Sequence, residues 1–177
     1  MRLILAACFA ILVSCQSIPE NNVTLFDNKQ FFEHEITLLT EQKTGVKQVL
    51  NYQHKKDSFI IHDTVDWKKE LQIFAEIDLA KPSNKSSFKI DTVITNNMYF
   101  TSYTSVDVKQ HLKQVVVATD QKQNVKSIDI LIKKTNSLYQ SQTILRYVPD
   151  SGFSVKGIQD VEIGNDTEYT IQALFIH

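Results

Sequence analysis

Two cysteines, five histidines and scattered carboxylates are the residues of this 177-residue chain that could do covalent, acid–base or metal chemistry. Cys15, in Leu12-Val13-Ser14-Cys15, offers a thiol whose thiolate is the best sulfur nucleophile for lipid transfer. Two cysteines are too few for a disulfide framework or a Cys-rich zinc site. The nearest approach to an acid–base or metal cluster is His62-Asp63 with Asp66. It lies just ahead of a predicted helix, and its carboxylates serve equally well at that helix's positive N-terminal end. Glu33-His34-Glu35 falls on another predicted helix, where sequence neighbours point apart, and is expected on a solvated face. The chain contains no G-x-S-x-G, no H-E-x-x-H and no glycine-rich phosphate loop. No catalytic residue, metal or cofactor is therefore assigned. Trp67, Tyr99, Tyr103 and Phe100 are candidates for stacking a ligand, with Tyr139 and Tyr147 completing the aromatic set. Each of these rings reads equally as core or cross-strand packing.

The segment Met1–Cys15 reads MRLILAACFAILVSC, with Arg2 as its one charge and an apolar run from Leu3 to Val13. A membrane-spanning helix needs about twenty apolar residues, so this run is too short to remain as a span. It has the length of a signal-peptide core. Leu12-Val13-Ser14-Cys15 then resembles the lipobox of bacterial lipoproteins: an aliphatic residue, a tolerant position, a small residue, then cysteine. The resemblance implies a diacylglyceryl group on Cys15, cleavage before it, and acylation of the new amino terminus. Two or three acyl chains satisfy the requirement for stable anchoring, at about 0.8 kcal/mol per buried CH₂. The competing expectation is a soluble secreted protein cut near Ser14. On the lipoprotein reading, residues 1–14 are signal, 15–24 a lipidated tether and 25–177 one domain. Cys8 is discarded, and the mature chain keeps no free thiol. In the Gram-negative family an Asp after the cysteine favours retention at the inner membrane. Gln16 stands there instead, which favours the outer membrane, and a single nearby acid, Glu20, favours the periplasm-facing side.

Composition narrows the partners. Lys and Arg number 19 against 20 Asp and Glu, for a net charge of -1. That balance argues against nucleic acid and against a polybasic membrane surface. The length suits one domain, and 42% hydrophobic residues suffice for a core.

The elements that must position these residues are two helices and a meander. The first helix is expected from Asn28 to about Lys43, with Asp27 as N-cap and Phe26 and Phe31 as a staple. Phe32, Ile36 and Leu39 recur at helical spacing. Gly45 stands where the chain must leave the helix. Two strands, Val46–Gln53 and Ser58–His62, are expected around a turn at Lys55-Lys56-Asp57. A second helix is expected from about Asp66 to Leu79, ended by Pro82, with Trp67, Leu71 and Phe74 on one face. From Phe88 the period becomes two, and Asn96-Asn97 fits a tight hairpin. Strands follow at 110–119, 125–134, 138–147, 153–162 and 167–175, and Gly157 suggests a bulge.

Two helices, each about 10 Å wide, cover four or five strands spaced about 4.8 Å apart. Eight or nine strands are present. The expected fold is therefore α+β, a curved, mostly antiparallel sheet forming a partial barrel against two N-terminal amphipathic helices. This architecture resembles the lipoprotein carrier and receptor (LolA/LolB-like) half-barrel, without a motif that carries over a site residue. Asp66-Trp67-Lys68-Lys69-Glu70-Leu71 followed by a β-meander is similar to small uncharacterised Gram-negative envelope lipoproteins. Three functions are consistent with these readings. The first is a non-enzymatic, membrane-anchored envelope lipoprotein acting in protein binding or assembly. The second is a carrier of a lipid or acyl chain on the concave face of the sheet, lined by residues such as Phe100, Ile130, Leu145 and Phe175. The third is an envelope hydrolase built on His62, Asp63 and Asp66.

Overall fold

The computed structural model describes residues 25–177 apart from 54, 63, 82, 83, 85 and 163. Residues 1–24, which hold the expected signal segment, Cys15 and the expected tether, lie outside the described residues, as do Asp63 and Pro82.

Helix α1 (Asn28–Glu41) begins where Asp27 accepts the Gln30 amide at 2.9 Å, and Phe26 and Phe31 stack at 5.7 Å. The cap and the staple thus occur where their residue types predict. The helix is left through Lys43, which takes a φ of 52°, so that Thr44 N–H reaches the Leu39 carbonyl at 3.0 Å. Gly45 is required for a different reason: a Cβ there would lie 2.9 Å from the Ile61 carbonyl oxygen on the neighbouring strand.

The second helix is not continuous. It forms two short turns, α2 (Trp67–Glu70) and α3 (Gln72–Ala75), parted at Leu71 with φ −97° and ψ 6°. Its expected extension to Leu79 fails for a long-range reason. The Asn28 side-chain amide donates to the carbonyls of Phe74 at 2.7 Å and Ile77 at 2.8 Å. The Phe74 carbonyl also takes the Ile77 amide at 3.3 Å, a tightened closing turn, so Asn28 clasps the chain where the helix ends. Leu79 is nonetheless fully buried, delivered to the core by irregular chain.

Nine antiparallel strands form one sheet: β1 (Gly45–Tyr52), β2 (Lys55–Ile61), β3 (Phe88–Thr95), β4 (Met98–Ser105), β5 (Leu112–Thr119), β6 (Val125–Thr135), β7 (Tyr139–Val148), β8 (Gly152–Val161) and β9 (Thr167–Ile176). Their order is β2-β1-β9-β8-β7-β6-β5-β4-β3, an unbroken meander to which β1 and β2 add beside the last strand. The sheet stays open, with β2 and β3 as its edges. Three helical segments replace the expected two. The expected turn at Lys55-Lys56-Asp57 is also displaced: these residues pair with Tyr52, Asn51 and Leu50, and Gln53, at φ 45°, begins the turn. The Asn96-Asn97 hairpin has φ values of 49° and 62°, as a tight hairpin turn needs.

Register carries the core straight across the sheet. Ile171, Val155, Leu145, Ile130, Val115 and Tyr103 face one another from β9 to β4. One row away, Ala173, Phe153, Tyr147, Ile128 and Val117 do the same. The helices lie on this face. Phe32 meets Phe74 at 5.1 Å and Tyr147 at 5.0 Å, Phe74 meets Phe153 at 5.7 Å, and Trp67 stands edge-on to Phe175 at 5.2 Å. No bulge occurs at Gly157, whose neighbours keep register on both sides. The glycine is there because the Tyr169 ring lies over it, 2.2 Å from where a Cβ would sit. The irregularities fall between β5 and β6, at Leu112/Gln114 and Ala118/Thr119.

Candidate functional site

The aromatic candidates do not converge. Trp67 opens α2, where Asp66 accepts the Lys69 amide at 3.1 Å. Its ring is buried, and Nε1 donates to the Thr44 carbonyl at 3.1 Å, tying α2 to the start of β1. Tyr103 is buried on the helix-bearing face of β4. Burial pushes its phenol above the ordinary range, opposed by the Phe26 backbone N–H that its oxygen accepts. Tyr99 shares that face, opposite Ile94 and Thr119, whereas Phe100 points to the other face, opposite Val93 and Ala118. Tyr139 lies across the sheet beside Val161, and Tyr147 is at the centre of the aromatic core. Of the residues named as lining a concave chamber, Ile130 and Leu145 are buried in that core, and Phe175 packs against Trp67.

The titratable candidates separate in the same way. His62 is exposed at the end of β2, and Asp66 serves as a helix cap. Among the described residues, no group of three His, Cys, Asp or Glu side chains could hold a metal ion. Glu33 is exposed and lies 3.9 Å from Lys29, and His34 is exposed too. Glu35 corrects the expectation of a wholly solvated face. It is 8% exposed and accepts the Tyr147 hydroxyl at 2.5 Å, so that α1 and β7 share a buried polar bond. Burial raises the Tyr147 phenol far above its ordinary range, and the bond to Glu35 and its carboxylate charge push in the same direction. The signal was present in the sequence: Glu35 stands three residues after Phe32 and four before Leu39, inside the apolar stripe. A second polar clasp joins Gln48 of β1 to Glu70 of α2 at 2.5 Å.

Two of the surface hollows are lined by clusters of charged residues. One, of about 770 Å³, runs between α1 and the α2–α3 pair and is lined by charges of both signs, among them Lys29, Glu33, Asp66, Lys69 and Glu76. The other, of about 880 Å³, lies at the β8–β9 turn, where Lys156 pairs with Glu168 at 2.7 Å and Asp166 accepts the Val161 amide at 3.1 Å. In the first, Lys29 pairs with Glu33, Asp66 caps α2 and Glu76 accepts from the Gln72 side chain; in the second, Glu168 and Asp166 are engaged with Lys156 and the Val161 amide.

What the molecule offers instead is edge and face. β2 is exposed along 55–60, and Phe59 (46%) and Ile60 (53%) point to opposite faces of it. Leu50 and Tyr52 are exposed on the adjoining strand, on the side of Phe59. An unpaired edge of this kind is a row of free backbone donors and acceptors. The run Phe59-Ile60-Ile61 is apolar in sequence, and only the sheet order reveals that among the described residues it has no outer neighbour. No described helix is long and apolar enough to cross a membrane. No family model matches the chain, and no curated protein and no solved structure is significantly similar to it.

Proposed function

We propose that this chain is a non-enzymatic lipoprotein of the bacterial envelope. Acylated Cys15 holds it at the outer membrane on the periplasm-facing side, and it binds another envelope protein along the open β2 edge. The observation that carries the reading is the contrast between a filled interior and an open edge. Phe32, Phe74 and Trp67 pack solidly on Tyr147, Phe153 and Phe175, while β2, paired on one side with β1, turns its outer edge and two large apolar side chains to water. Strand addition uses such an edge: main-chain bonds supply affinity and alternate side chains supply specificity. The alternative, a carrier of a lipid or acyl chain on the helix-bearing face, needs a chamber where the aromatic rings stand, and the packing weighs against it.

Two measurements test the reading. Radiolabelled palmitate should enter the wild type and not Cys15→Ser; an unlabelled wild type overturns the anchor. A photo-crosslinking residue at Ile60 in intact cells should capture one envelope protein, and the same residue at exposed Ser137 should not. Equal capture at both positions, or none at Ile60, overturns the edge as the binding surface. Stoichiometric lipid beyond the Cys15 acyl chains in the purified protein would favour the carrier instead.

A further inference from the structure

The end of the β3–β4 hairpin breaks the rule that one face of a sheet is wet. Val93 is 61% exposed on one face and Ile94 is 64% exposed on the other. Each stands opposite a partly buried aromatic ring, Phe100 for Val93 and Tyr99 for Ile94. Apolar side chains thus project on both faces of the same two-strand ribbon, at the edge of the sheet where β3 has no outer partner among the described residues. Water favours neither face.

Charge distribution marks the same segment. Between Asp91 and Asp107 lie fifteen residues without a single Asp, Glu, Lys or Arg, in a chain that is 22% charged. No other charge-free run in residues 25–177 is as long. Edge strands are ordinarily guarded by charge, and the other edge carries Lys55, Lys56 and Asp57. On β3, Lys89 and Asp91 neutralise one another at 3.2 Å, and the strand beyond them is bare. A surface with Tyr, Phe, Ile, Val and Met and no charge suits the zone between headgroups and acyl chains, where a charged group would lose hydration.

The position of the anchor supplies the occupant. The described chain starts at Leu25, buried in the core, and the next residue, Phe26, bonds the Tyr103 hydroxyl on β4. The polypeptide therefore enters the domain beside the β3–β4 hairpin. Nine residues, 16–24, separate Cys15 from Leu25, and a chain of that length reaches at most about 36 Å. The sheet is about 38 Å from edge to edge. A tether that short and inserted there keeps the β3 side of the molecule near the bilayer.

We propose that the β3–β4 hairpin end is a second membrane contact, with Val93, Ile94, Tyr99 and Phe100 resting in the headgroup layer of the bilayer that holds Cys15. The contact is shallow, because the free backbone groups of edge β3 cannot enter hydrocarbon. Asn96 and Asn97 at the turn stay among the polar headgroups. This contact rests on the acylated-Cys15 reading and adds to it: one anchor lets a domain rotate, whereas two contacts fix which way β2 faces.

The test uses the lipidated protein in vesicles of phosphatidylethanolamine and phosphatidylglycerol. With Cys15 acylated, Ile94→Cys introduces the sole free thiol, and an environment-sensitive fluorophore is attached there. Ile60→Cys, 53% exposed on the opposite edge, is the control. Quenching by lipid-borne spin labels should be at least threefold stronger at position 94 than at position 60, and Val93→Asp should abolish the difference. If the protein takes palmitate and floats with the vesicles but the two positions quench alike, the hairpin contact is overturned and the anchor stands. If it neither takes palmitate nor floats, the anchor falls and the contact with it. A label at 94 that resists lipid quenchers, in a protein whose size grows with concentration, assigns the hairpin to a second copy of the chain and overturns the membrane contact.

Discussion

Glu35 and Tyr147 form a long-range bond inside the aromatic core, and each makes the other tolerable there. A buried carboxylate without a donor carries its full desolvation penalty, and the phenol of Tyr147 supplies the donor at 2.5 Å. Tyr147→Phe keeps the ring and deletes only that donor. It should lower unfolding free energy by roughly 1–3 kcal/mol at pH 7, measured by urea titration. Glu35→Gln in the same background should recover part of the loss. The pH dependence has a definite sign. The folded phenol titrates far above the unfolded one, so its contribution is complete below about pH 10 and is lost as pH rises beyond it. Tyr147→Phe should therefore flatten the alkaline limb of the stability curve. Asp120 works in the opposite direction. Hydrogen bonds from the Asn124 side chain and backbone, then from Lys126 and the Lys122 amide, hold its carboxyl well below the usual carboxylate range. Its contribution is complete above about pH 4 and disappears as pH falls through the folded value. Asp120→Ala should lower Tm at pH 7, and the gap from wild type should narrow steadily as pH falls below about 4, as read by circular dichroism.

Among the elements, Gly157 is the position where two adjacent strands depend on one missing atom. The Tyr169 ring occupies the space above it, an arrangement in which an aromatic side chain covers backbone that a strand glycine leaves bare. Gly157→Ala should destabilise by about 1–3 kcal/mol, as overpacking does, and Tyr169→Ala combined with it should cost less than the sum of the two single changes. The strands themselves were legible in the sequence because alternation is local: Ile128, Ile130 and Ile132 declare a face by themselves, and Asn96-Asn97 declares a turn. The early end of the second helix was not legible, because the group that clasps it there belongs to Asn28, 46 residues from Phe74. The role of Gly157 was hidden for the same reason, since nothing near it in sequence mentions Tyr169. Of the candidate site, Trp67 was readable as a residue that starts a helix face, whereas Glu35, expected on a solvated face, is buried in the stripe between Phe32 and Leu39. The two-faced apolar end of β3 was not readable, because Val93 and Ile94 look like any strand until the sheet order leaves them without a neighbour.

For the molecule as a whole, the decisive fact is that the sheet is wider than its cover. A helix of fourteen residues is about 21 Å long and, with two short turns beside it, cannot shield a sheet about 38 Å across. Both edges therefore remain open, and they are unlike one another. One has Phe59 and Ile60 beside Lys55, Lys56 and Asp57; the other is charge-free beyond Asp91. An open sheet with two unlike edges can pair head to tail without closing, which builds filaments instead of rings. The lysines of β2 are the guard against this: both are exposed, and edge lysines disfavour pairing with a second strand unless that strand offers matching acids. Replacing both with threonine keeps strand propensity and removes the guard. The Lys55→Thr, Lys56→Thr protein should assemble in a concentration-dependent manner by light scattering at concentrations where wild type does not. Adding Ile60→Lys should reverse the assembly, because it restores a charge to the same edge. Assembly that persists with Ile60→Lys would locate the sticky surface away from β2, and with it the surface offered to the envelope partner.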